Sequence, residues 1–311
     1  MNKSIFELIN DNIADGVLNR DFTLPDESKD DSAPRFAPGA LDGICLFHTG
    51  PSGLDAAGAG QMAQALEQAA GGYYPNADTL FAEWTQNHRA IKIVDKLQDY
   101  VIDHSDQLDG GNILNAAMYL ILRSSHIECV KIGLELLELF RISSRDSEEV
   151  KEIVRRIGQC DEFTIFAVWN MRKWENGNRE VFELAKKVHG WGRIHTVAHL
   201  KPDTAEIRHW LLTEGTVNDV MNSYSSLTCW QKAQAEAVLF GHPSPEEYKG
   251  LSTLLDGLLN EGPVQGISTL ENSDKILLRF LEISKDYEPS SQNQDLLQAV
   301  RQWLDQIDEP K

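Results

Sequence analysis

The chain has 311 residues, 41% hydrophobic and 25% charged, with formal charge −19 and a pI near 4.8. A chain of this length forms one elongated domain or two compact ones around a substantial core. Its acidity repels nucleic-acid phosphates and anionic membrane, and no apolar run nears the roughly 18–20 residues that cross a bilayer, so neither is an expected partner.

The N-terminus, MNKSIFELINDNIADG, is acidic and amphipathic and lacks the basic region and apolar core of a secretion signal, so the expected compartment is cytoplasmic. Residues 3–13 predict a short helix with Ile5, Leu8, Ile9 and Ile13 on one side. Residues 21–40, with Pro25, Pro34 and Pro38 amid DESKDDS, read as a solvated linker. LDGICLFHTG (41–50) fits a short strand or a buried helical turn equally, and a small-residue helix is expected at 56–70, ended by Gly71, Gly72 and Pro75. Residues 1–75 thus form an N-terminal helix, a Pro-rich acidic linker and a Gly/Ala-rich segment.

Residues 76–311 read as a helical-repeat domain. The apolar period places helices near 78–87, 90–106, 112–123, 126–141, 146–158, 161–174, 178–189, 191–200 and 203–213, with more near 228–240, 244–260, 273–286 and 293–307. Short connections carry helix punctuation: Asp109-Gly-Gly, Asn176-Gly-Asn178, Asp203 with Glu206 as a capping box, and Ser244 followed by Pro245. Short helices at even spacing predict an all-α fold of stacked antiparallel helix pairs, a HEAT/armadillo-like α-solenoid organised around residues 161–212.

Cys45, Cys129, Cys160 and Cys229 form no close pair and no CxxC, which excludes the usual zinc spacings and a disulfide framework. Cys129 and Cys160 fall in apolar helical patterns and read as small buried hydrophobes.

Chemistry has four candidate seats. His195 and His199 are four residues apart on one helix face, and Glu206 with His209 forms an ExxH pair; together they make a candidate set for zinc or iron. The bland alternative is histidines that hydrogen-bond at helix ends. Gly50, Ser52 and Gly53 sit in a loop with the outline of a phosphate cradle, but Leu54 and Asp55 stand where a Walker loop needs lysine and Ser/Thr. Gly58-Ala-Gly60-Gln-Met-Ala63 fits GxGxxA without a strand running into it. Trp169, Trp174, Trp191 and Trp210 suit an apolar substrate pocket or, more ordinarily, the seam between stacked helices. Arg155, Arg156, Arg172, Lys173, Lys186, Lys187 and Arg193 gather basic charge, either to receive an acidic partner segment or to pair locally.

Trp174-Glu-Asn-Gly-Asn178, LAKKVHGWGRIH from Leu184 to His195, EIRHWLL from Glu206 to Leu212, and Ser226-Leu-Thr-Cys229 resemble the central segment of a bacterial family labelled limonene hydroxylase, over roughly residues 110–240. The resemblance implies a monooxygenase that uses NADH or NADPH to hydroxylate the monoterpene limonene to carveol- and perillyl-alcohol-type products. It carries over no catalytic residue. Oxygen activation requires a metal or flavin, and iron at the His195/His199/Glu206/His209 group is the version the residues offer. The competing reading is a non-catalytic scaffold that binds a protein partner on a concave helical face.

Overall fold

The computed structural model describes residues 3–25, 35–50, 53–142, 147–262, 264–287 and 291–308. Residues 26–34 of the acidic linker, including Pro34, and Ser52 of the glycine loop lie outside the described residues. The chain is all-α: among the described residues its only strands are Ile13–Ala14 and Val17–Leu18, a two-residue antiparallel pair. It divides into two compact units, 1–192 and 193–311.

The first unit contains α1 (Ile5–Asp11), α2 (Ala40–Ile44), α3 (Ala56–Ala70), α4 (Tyr74–Trp84), α5 (Ala90–Asp103), α6 (Gly110–Arg123), α7 (Ile127–Glu138), α8 (Ser147–Ile157), α9 (Thr164–Met171) and α10 (Gly177–Ala185). Starts are set by side-chain caps: Ser4 and Glu7 form a full capping box on α1, Asp55 accepts from Gly58 N at 2.7 Å, and Asp109 accepts from Asn112 N at 2.8 Å. The ambiguous segment 41–50 is helical. It begins as α2 and widens into a π-type turn, Cys45–Thr49, closed by Gly50 at φ +69°.

Helix α7 is the centre of this unit. It packs on α5, α6 and α9, and every residue from Cys129 to Leu137 is buried. The close approach of α6 and α7 needs Gly133, where a Cβ would come within 2.9 Å of the Ala117 carbonyl oxygen. Gly43 has a similar duty, since a Cβ there would lie inside the Trp191 indole.

Helix α11 (Trp191–His199) carries the chain across the 192/193 boundary. The second unit continues with α12 (Ala205–Thr213), α13 (Ser223–Lys232), α14 (Ala235–Phe240), α15 (Pro245–Leu259), α16 (Ser273–Ile283) and α17 (Ser291–Asp308). Its axis is α15, which begins on the expected Ser244/Pro245 cap and packs against α12, α13, α14 and α17. Two details differ from expectation. Thr204, not Asp203, caps α12, accepting from Ile207 N at 3.2 Å. The helix expected at 228–240 is two helices, because Gln234 adopts a left-handed conformation at φ +55° and turns the chain between them.

All four cysteines are buried thiols, and burial pushes the Cys229 thiol up to about 12. No helix among the described residues is long and apolar enough to cross a membrane.

Candidate functional site

On α7 the residues Glu128, Lys131, Glu135 and Glu138 recur at steps of three, four and three, so they line up along one helix face. In most helices such a stripe faces water. Here the helix is enclosed, and Lys131 and Glu135 are 0% and 1% exposed.

The Lys131 ammonium donates to Asp42 Oδ2 at 2.6 Å, Glu128 Oε1 at 2.9 Å and Glu162 Oε1 at 2.5 Å. Its three protons are matched by three carboxylates, and the Phe166 ring lies 5.7 Å from the nitrogen. Arg89 closes the cluster from the rim, with Nη2 at 3.1 Å from Asp42 Oδ1 and 3.3 Å from Glu128 Oε1. The far oxygens are also engaged. Glu128 Oε2 accepts from Ala90 N at the start of α5, and Glu162 Oε2 accepts from Gly39 N at the start of α2. The two glutamates therefore sit at the positive ends of helices as well as on the ammonium.

The charges fix the protonation states. Burial opposes the Lys131 ammonium, but Glu128, Asp42 and Glu162 together hold its pKa above the ordinary lysine value. Glu128 is held below the usual carboxylate range because Lys131 and Arg89 outweigh its burial. Asp42 goes the other way: burial, the largest effect, pushes its carboxyl up against the pull of Lys131. Three carboxylates facing two cations leave one negative charge in surplus, and the fully buried Asp42 is the group on which it costs most. A permanently protonated lysine is a tie between helices rather than a nucleophile.

At the C-terminal end of α7 the stripe reaches a cleft of ≈ 880 Å³ lined from α7, α8 and α9 and the segments beside them. Glu138 stands at its edge, paired with Lys173 at 3.1 Å and accepting from Gln98 Nε2 at 3.1 Å. Asn170, 3% exposed, gives both amide hydrogens away, to Leu134 O and Phe166 O, each at 2.9 Å. Trp174 lies under two cations of α8, with Lys151 Nζ 5.5 Å and the Arg155 guanidinium 5.6 Å from its ring centre.

His195 is buried, and desolvation pushes its imidazole down to about 3, so the ring is neutral. His199 Nδ1 donates to His195 O at 2.9 Å within the last turn of α11. Glu206 is exposed, and His209 Nε2 lies 3.7 Å from Glu246. Among the described residues no three His, Cys, Asp or Glu side chains form a group that fits a metal ion.

In the glycine loop, the helix start that a phosphate would occupy already holds the Asp55 carboxylate, and Gly53 stands in open space. Gly58 lies inside α3, and among the described residues no strand runs into it.

Of the tryptophans, Trp174 lines the cleft, Trp169 packs edge-on against Phe166, Trp191 covers Gly43 beside Phe47, and Trp210 lies under the Arg193 guanidinium. The basic residues are largely absorbed in local contacts: Arg155 with Glu180 and Glu148, Arg156 with Glu152, Lys173 with Glu138, and Lys186 with Glu183.

Asp42, Arg89, Lys131 and Glu162 were not among the sequence candidates. Their one signal was the charged stripe on a helix otherwise apolar all round. No family model matches the chain, and neither a curated protein nor a solved structure matches it.

Proposed function

We propose that this chain is a non-catalytic helical scaffold, its helices stacked as HEAT- or armadillo-like pairs, that binds a protein partner. The observation that carries this reading is the loop 216–222 of the second unit. It exposes Val217 (50%), Val220 (37%) and Met221 (36%) within five residues, yet it is tightly pinned. Asn218 Oδ1 accepts from Val220 N at 3.0 Å and Met221 N at 2.8 Å, while its amide donates to Thr216 O at 2.9 Å and Met221 O at 3.2 Å. Ordered apolar side chains held in water lose little entropy when a partner covers them. The chain's charge of −19 favours a partner with basic residues flanking its apolar contact.

Replacing Val217, Val220 and Met221 by Ser is expected to leave the melting temperature unchanged and to abolish capture of a reproducible, cross-linkable partner from cell extract. Capture that survives the triple change removes the loop from the reading.

A second reading follows the family resemblance: hydroxylation of limonene with NADH or NADPH. It is favoured by an apolar pocket of ≈ 610 Å³ in the second unit, lined by Trp230, Ala237, Phe240 and Leu270, which begins where the family-like Ser226–Cys229 run ends. Limonene is expected to change Trp230 fluorescence saturably, and Phe240→Asp to abolish that change. Iron or flavin content with reductant-dependent product formation distinguishes turnover from binding, and their joint absence defeats the reading.

A further inference from the structure

We propose that the cleft at the C-terminal end of α7 is a binding site for a small anion, a carboxylate or phosphate borne on a compact apolar body. In a chain of charge −19, this cleft is where unspent positive charge collects. Arg141 and Lys151 both line it, and neither has an ion-pair partner among the described residues. Lys173 also lines the cleft, but it is spent on Glu138. The counter-charges are Glu138, paired with Lys173, the exposed Glu175, and Glu148, which is bound to Arg155 and close enough to Lys151 to feel its charge.

The site is positioned as well as charged. Trp174 holds the Lys151 ammonium over its ring, so the cation is oriented before a ligand arrives. Asn170 is fixed by its two amide donations, which leaves its carboxamide oxygen as the acceptor for a ligand hydroxyl or N–H. Phe140 and Ile142 supply apolar wall, the remainder of what an anion with a hydrocarbon body needs. The volume exceeds what a bare inorganic anion fills, which is why the ligand is assigned a body and not a charge alone.

The test uses the full chain and four probes: phenyl phosphate, benzoate, inorganic phosphate and neutral benzyl alcohol, followed by calorimetry and tryptophan fluorescence. Phenyl phosphate or benzoate is expected to bind saturably and to weaken with added salt, with benzyl alcohol at least about tenfold weaker. Inorganic phosphate alone is expected to bind more weakly than phenyl phosphate. Lys151→Ala and Arg141→Gln should each lower affinity about tenfold or more, and Lys151→Arg should retain most of it. These side chains carry no structural ion pair, so the variants should melt with the parent.

Three outcomes overturn the proposal: no saturable binding of either anion up to about 10 mM, equal binding of benzyl alcohol, or anion binding indifferent to both substitutions. Because the loop 216–222 is untouched by these variants, loss of anion binding leaves partner capture unchanged, and the two readings fail separately.

Discussion

Lys131→Met is expected to destabilise the first unit by about 3–5 kcal/mol, the range for removing one partner of a buried ion pair. Methionine matches the stem of lysine, so the loss is electrostatic and not a cavity effect. It leaves Asp42, Glu128 and Glu162 converging on one point with only Arg89, on the rim, to offset them. Urea unfolding read by tryptophan fluorescence measures this as a drop in midpoint. Lys131→Arg is expected to recover little, because a guanidinium does not fit a space closed by three carboxylates and the Phe166 ring.

The decisive control is the background in which the carboxylates are also neutral. Adding Asp42→Asn and Glu162→Gln to Lys131→Met should restore part of the loss, since an uncompensated charge costs more than an absent network. If the triple variant is instead the sum of the single losses, the cluster is not a coupled unit.

The pH dependence has a definite sign. Glu128 is depressed below its ordinary 4.5, so its contribution is complete above pH 4.5 and declines as pH falls below it. Lys131 is raised above 10.5, so its contribution is complete below pH 10.5 and is lost only as pH climbs through its folded value. With Lys131 gone, the Asp42 and Glu128 carboxyls lose the charge that opposes their burial, so above pH 4.5 the gap between Lys131→Met and the parent should widen as pH rises. Below pH 4.5 it should narrow.

What was legible beforehand follows from how local each signal is. The helix Ala56–Ala70 was readable to the residue, because Asp55 caps it and Gly71 ends it within the same twenty positions. The break at Gln234 was not, since nothing in TCWQKAQAEAVLF marks a left-handed residue by type. The cluster on α7 was invisible for a different reason. Glu128 and Lys131 at i, i+3 look like a solvated surface pair. Their other partners enter from 89 and 31 residues away, with no spacing to connect them.

The histidines show the opposite case. His195 and His199 do share a helix, but the spacing that suits a metal also suits a last-turn bond from His199 to the His195 carbonyl, and the structure has that bond. Side-chain type at helical spacing says which residues share a face. It does not say what that face meets.

Glu135→Met is expected to stabilise the protein at neutral pH, by about 1–3 kcal/mol, the cost of a buried polar group left without a partner. Glu135 is 1% exposed, and neither carboxyl oxygen has a hydrogen-bond partner among the described residues. Its backbone carbonyl accepts from Gln98 Nε2 at 3.0 Å, but the side chain does not share in that bond. Burial pushes its carboxyl well above the usual range, the negative charges of Glu128 and Asp42 push it further, and Lys131 one turn away only partly opposes them. The folded core therefore favours the neutral acid over the carboxylate.

A carboxyl whose folded pKa is raised keeps its proton in the native state while the unfolded chain loses it above pH 4.5. Above that point the unfolded state binds fewer protons, so Glu135 costs the parent stability progressively as pH rises, until the native carboxyl itself ionises. The advantage of Glu135→Met should therefore be smallest near pH 4 and widen as pH rises above 4.5, until the folded carboxyl itself ionises. Glu135→Gln separates the two contributions: as a neutral isostere it should remove the pH slope while keeping the desolvation cost, and so lie between parent and Met at pH 8. A parent and a Met variant whose stabilities run parallel from pH 4 to pH 8 would show that the carboxyl ionises as freely in the folded chain as in the unfolded one. That result would require water or a counter-charge at Glu135, and the closed centre of the first unit would have to be redrawn around it.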